Sequence, residues 1–153
     1  MSYAENTSVS VDRSKAEIEK TLSRYGADQF IHGWDHKAAF IAFRAFNRMV
    51  KFVLPLPDKN DNEFKTTPSG RKKRKPEQIE KAYEQACRQK WRALALVIKA
   101  KLEAVETGIT DFEDEFLSYI MLPDGSTVGK FMKPQIKAAY ESKKMPKLLT
   151  ILD

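Results

Sequence analysis

The chain has 153 residues, 42% of them hydrophobic and 31% charged, which suits one globular domain that can bury its own core. No apolar run reaches the roughly 18 residues of a membrane-spanning helix, and the single cysteine, Cys87, excludes an internal disulfide. The net charge of +6 is uneven: Lys65 to Lys101 carry +9, Leu102 to Thr127 carry −7, residues 128–153 carry +4 and residues 1–64 balance, an asymmetry that suggests a polyanion or charged partner more than buried chemistry.

Residues 1–11 are polar and predict a flexible arm; residues 12–153 predict a single α+β domain. The N-terminus lacks the basic and apolar segments of a signal peptide, which with the lone cysteine implies a reducing cytoplasm. Asp12 or Ser14 can cap a first helix, with Glu17 at capping-box spacing from Ser14, and Gly26 ends it after Tyr25. Its apolar stripe, Ala16, Ile18, Leu22 and Tyr25, is thin.

Three strands follow. Gln29 to Trp34 puts Phe30, His32 and Trp34 on one face. Lys37 to Phe46 puts Ile41, Phe43 and Ala45 on one face, with Phe40, Ala42 and Phe46 on the other. Arg48 to Leu56 puts Val50, Phe52, Leu54 and Leu56 opposite Met49, Lys51 and Val53. Asp35-His36 and Asn47-Arg48 fit tight turns, and Pro55 and Pro57 end the third strand. The reading is a three-stranded antiparallel meander.

Residues 58–75 predict a long loop of turn formers that ends in the basic run Arg71-Lys72-Lys73-Arg74-Lys75. From Pro76 to about Thr107, apolar residues recur every three or four positions: Ile79, Tyr83, Ala86 with Cys87, Trp91, Leu94, Ile98, Leu102 and Val105. That pattern predicts one long central helix. Its second half is apolar on more than one side and should be wrapped by the sheet and the C-terminal elements. A short helix from Thr110, a turn at Pro123-Asp124-Gly125 and a helix from Thr127, restarted or kinked at Pro134, follow. The tail's Leu148, Leu149, Ile151 and Leu152 are expected to dock on the core. The order is α-β-β-β-α-α-α, the three-stranded antiparallel sheet packed on the long central helix.

The basic run is the most specific feature. Five cations in a loop can follow a phosphate backbone and release counterions. Arg88, Arg92 and Lys99 on the long helix form a second tier. The plain alternative is a solvated loop that keeps the protein soluble. The sheet aromatics could stack on bases, but no glycine-punctuated aromatic motif is present and most are needed for the core. Trp34 and Phe46, near strand ends, are the exceptions to watch. Cys87 reads as a small buried hydrophobe. His32, Asp35 and His36 diverge on a strand and turn, so a shared metal or acid–base site is not expected. Asp58 to Asn62 resembles the start of a calcium loop, but Glu63 stands where glycine is required. The acidic cluster Glu103, Glu106, Asp111, Glu113, Asp114 and Glu115 reads as solvated helix-end charge, or as a face for a basic partner or the chain's own basic tail.

Val11-Asp12-Arg13-Ser14 through Arg24-Tyr25-Gly26-Ala27-Asp28-Gln29-Phe30, and Trp91-Arg92-Ala93-Leu94 through Lys101-Leu102-Glu103, resemble small, largely uncharacterised proteins of bacteriophages and prophages. The resemblance covers about half the chain and carries over no functional residue. It implies a bacterial cytoplasm and a role in early phage metabolism or counter-defence. The leading expectation is a non-enzymatic, sequence-tolerant DNA- or RNA-binding accessory protein, with no cofactor and no metal. The alternative is a counter-defence inhibitor that binds a host protein such as a CRISPR or other defence nuclease. A third is a metal-dependent nucleic-acid enzyme using Asp58, Asp61 or Glu63.

Overall fold

Ser10 starts the first helix: its hydroxyl accepts the Arg13 N–H at 3.1 Å. Helix α1 (Val11–Arg24) therefore begins before the caps expected at Asp12 or Ser14. Ser14 lies inside it instead and is buried with Ile18 and Leu22, one residue per turn along a single stripe. The computed structural model that describes this arrangement covers residues 2–145.

Strands β1 (Gln29–Trp34), β2 (Ala38–Ala45) and β3 (Arg48–Pro55) pair antiparallel in the order β1-β2-β3, as the meander predicts. Trp34 faces Ala39, and Ala45 faces Arg48. The period-two pattern assigns the faces correctly. Ala39, Ile41, Phe43 and Ala45 of β2 and Val50, Phe52 and Leu54 of β3 point into the core. The opposite face carries Ile31, Phe40, Lys51 and Val53. Phe40 lies across Gly33 so closely that a Cβ there would stand 2.5 Å from its ring.

The second hairpin turn sits one residue earlier than expected. Its central residues are Phe46 and Asn47, at φ +50° and +57°, rather than Asn47 and Arg48. Two left-handed central residues give the turn whose twist matches the strands. Asn adopts that conformation readily, and a bulky Phe does not. The Phe46 ring is held against Phe112, with centroids 4.9 Å apart.

The long helix is α3 (Pro76–Glu106), 31 residues. Trp91, Leu94, Ala95, Ile98 and Leu102 are buried, all in its second half. There it meets the sheet, α1 and α4 (Phe112–Phe116). Phe116 is fully buried and packs edge-on against Phe43 and Phe52. A short 3-10 turn, Leu117–Tyr119, brings the chain to the outer edge of β3. There Met121 N–H donates to Met49 O at 2.8 Å.

The first half of α3 has no fully buried residue. It runs past the sheet and is covered by two segments expected to be loose. The N-terminal arm is tied to it, where Gln85 Nε2 donates to the Glu5 and Thr7 carbonyls at 3.1 and 2.9 Å, and its buried Ala4 lies farther along, beside Leu96. The expected loop at 58–75 contains α2 (Asn62–Lys65), whose buried Phe64 meets Tyr83 edge-on. Helix α5 (Val128–Ser142) is continuous through Pro134 and has no buried residue. The expectation for Leu148, Leu149, Ile151 and Leu152 lies outside the described residues.

Candidate nucleic-acid interface

The basic run is one arm of a small hairpin. Thr67-Pro68-Ser69-Gly70 reverses the chain, with Pro at the second position and Gly70 (φ +69°) at the fourth. Gly70 N–H donates to Thr67 O at 2.7 Å, and Thr67 N–H donates to Lys72 O at 2.9 Å. Thr66 and Lys73 form an antiparallel bridge. Arg74 N–H then donates to Lys65 O at 2.7 Å, which closes the hairpin at its base.

Arg74 differs from its neighbours. Its guanidinium turns toward α2 and donates to the carbonyls of Glu63 and Phe64 at 3.1 and 3.4 Å. A four-residue helix leaves its last carbonyls without intrahelical partners, and Arg74 supplies them. Alternate residues of an extended run point opposite ways, so Lys73 and Lys75 face away from that anchor. Arg71, Lys72, Lys73 and Lys75 are all exposed. None has a carboxylate within 4.0 Å among the described residues, whereas Arg44, Arg48, Lys59, Arg92 and Lys101 each do. Lys75 also occupies the N-cap of α3, and its N–H donates to Gln78 Oε1 at 2.9 Å.

The second tier does not join this cluster. Arg88 donates through Nε and a terminal nitrogen to Gln85 Oε1, at 3.0 and 2.6 Å. It thereby orients the amide that holds the N-terminal arm. Arg92 pairs with Glu17 at 2.6 Å and ties α3 to α1. Lys99 is exposed but lies about 35 Å along the helix from Pro76, at 1.5 Å per residue. One short stretch of polyanion cannot meet it and the hairpin through adjacent phosphates.

The other candidates are used locally. Asp35 Oδ1 accepts the Lys37 and Ala38 N–H groups at 2.7 and 2.9 Å, and these bonds hold its carboxyl below the usual range. It is committed to the turn and is not shared with His32 and His36. Asp58 Oδ1 accepts the Asn60 N–H at 2.9 Å, Asp61 occupies the N-cap of α2, and Lys59 pairs with Glu80. Cys87 is half-buried; burial pushes its thiol up, with the Tyr83 hydroxyl opposing that in part. In the acidic cluster, Glu115 pairs with Lys101 at 3.1 Å and Glu113 with Arg48 at 3.2 Å. Glu103 accepts the Tyr25 hydroxyl at 2.8 Å, which raises the tyrosine above its ordinary value. Trp34 and Phe46 are exposed, at 74% and 66%.

Sequence reasoning missed the hairpin that presents the cations and the anchoring role of Arg74. The Thr-Pro-Ser-Gly tetrad, flanked by residues able to pair, was the available signal. Among the described residues, no helix is long and apolar enough to cross a membrane. No family model, curated protein or solved structure matches the chain.

Proposed function

We propose that the chain binds the phosphate backbone of DNA or RNA through the hairpin cations Arg71, Lys72, Lys73 and Lys75, as a non-enzymatic accessory protein. The observation that carries this reading is local density: four exposed cations fall within five residues on a braced turn, and among the described residues none has a carboxylate within 4.0 Å. Such a cluster displaces counterions from a polyanion without reading bases, so binding would be sequence-tolerant. Arg74 holds the hairpin in shape, and Arg88 and Arg92 hold the helix it extends from. The likeness to phage proteins supports the bacterial cytoplasm as the place of action.

The test is binding to labelled single- and double-stranded DNA and RNA as salt is raised. Four phosphate contacts on duplex DNA give a log–log slope of about −3.6, or roughly a hundredfold loss between about 50 and about 200 mM salt. Joint replacement of Arg71, Lys72, Lys73 and Lys75 by Ala should abolish binding and leave the fold intact. Absence of binding by the wild type at low salt would refute the reading.

A further inference from the structure

The two edges of the sheet differ. The outer edge of β3 is covered: Met121 N–H bonds to Met49 O, and Val50 bridges Ile120. Among the described residues, nothing pairs with the outer edge of β1.

The orientation of the β1 peptide groups follows from the ladder. Asp35 N–H donates to Ala38 O at 2.9 Å, in register with Trp34 opposite Ala39. Hydrogen-bonded and non-bonded pairs alternate in an antiparallel ladder. Gly33, Ile31 and Gln29 therefore bond to β2, and Phe30, His32 and Trp34 turn their N–H and C=O groups outward. Edges of this kind are usually guarded by lysine, proline or an inward charge. β1 reads Gln-Phe-Ile-His-Gly-Trp and has no such guard. It also exposes apolar groups on both faces: Trp34 is 74% exposed and Ile31 51%.

We propose that β1 pairs antiparallel with β1 of a second copy about a two-fold axis through His32, joining the two meanders into one six-stranded sheet. A two-fold axis normal to the sheet keeps each face on its own side, so only residues of like parity can pair. Centring the axis on His32 uses all three outward-facing residues. His32 pairs with the partner's His32, Phe30 with the partner's Trp34, and Trp34 with the partner's Phe30. Each pair exchanges two main-chain bonds. The side chains also match. An aromatic meets an aromatic twice, and Ile31 meets the partner's Gly33, over which the partner's own Phe40 ring lies and offers an apolar surface. The edge is thus complementary to itself in hydrogen bonding and in its aromatic pairing, which favours a second copy over a foreign strand. This inference is independent of the polyanion reading.

Sedimentation equilibrium of the full chain tests it. The mass should rise from one chain to two as concentration increases. His32→Pro removes an N–H that faces away from β2, so the β1–β2 ladder is spared. Loss of the two bonds on the axis should weaken the dimer at least about tenfold. Ile31→Lys places a guarding charge on the exposed face and should give the same result. Far-ultraviolet circular dichroism and thermal midpoint confirm that each variant is folded. His32→Cys in a Cys87→Ser background reports the register by forming a disulfide-linked dimer on mild oxidation, and Gln29→Cys should not. A wild type that stays a single chain at every concentration overturns the proposal, including one that takes up only a foreign peptide strand. So does a dimer that survives both His32→Pro and Ile31→Lys.

Discussion

The second half of α3 and the hairpin ahead of its first half both carry cations and use them in opposite ways. In the second half, Arg92 and Lys101 are partly buried and each is matched, by Glu17 of α1 and by Glu115 of α4. They fix how neighbouring elements sit. Ahead of the first half, Arg71, Lys72, Lys73 and Lys75 are exposed and, among the described residues, have no carboxylate within 4.0 Å. The difference lies in what packs alongside. Where α3 crosses the sheet, other elements bring acids to it. Where it runs past the sheet, it is accompanied by the N-terminal arm and by short α2 with its braced hairpin. Cations of one kind are thus struts at one end and a presented surface at the other.

Substitutions in the two regions should separate accordingly, and the largest effect belongs to the core beneath the second half. Phe116→Ala removes a fully buried ring from between Phe43 and Phe52 and should cost about 3–5 kcal/mol in urea unfolding. Ile79→Ala, on the half-buried first half, should cost less than about 1.5 kcal/mol. Equal costs would dissolve the contrast. Next comes a distinction within the basic run itself. Arg74→Ala strips the Glu63 and Phe64 carbonyls of their donor and should destabilise the hairpin by about 1–2 kcal/mol. Faster hydrogen exchange at the Thr67 and Arg74 amides would register it. Lys73→Ala should leave stability within about 0.5 kcal/mol and lower the salt slope of polyanion binding by about one.

The smallest effect is electrostatic. Arg44 Nε donates to Asp28 Oδ1 at 2.9 Å, and this bond is the main reason the carboxyl is held below its ordinary value. A depressed folded value means the contribution is present above the unfolded carboxylate range. It is lost as pH falls through the folded value. Both groups are exposed to solvent, so the contribution is screened. Thermal unfolding of Asp28→Asn against wild type should show a small deficit at neutral pH that closes in acid; a deficit that persists in acid would contradict this assignment.

Much of the fold could be read from local pattern because the physics there is local. The period-two alternation of β2 and β3 set their faces, and the three-and-four spacing from Ile79 to Val105 set the long helix. The misreadings have long-range causes. Phe46 takes a left-handed turn position that its own preference opposes because Phe112, far along the chain, gives its ring a surface. Residues 58–75 read as loop because the bonds that order them run from Arg74 back to Glu63 and Phe64. The pairing of Arg92 with Glu17 spans 75 residues. A list of basic residues cannot distinguish such a strut from a side chain left for a partner. Most of the candidate interface was visible as composition, and its internal division was not.

The hairpin is also the only covalent path between two sets of residues that share one core. Ile18, Ile41, Phe43, Val50 and Phe52 precede it, and Trp91, Ile98, Leu102 and Phe116 follow it. Its exposed tip joins α1 and the whole sheet to everything that covers them. The continuity of the polypeptide there contributes little to the core beyond keeping the two sets at high effective concentration. A cut at the tip would divide the chain into two pieces and leave every core contact in place, so the domain is, in its topology, a ready-made pair of complementing fragments joined by its own basic turn.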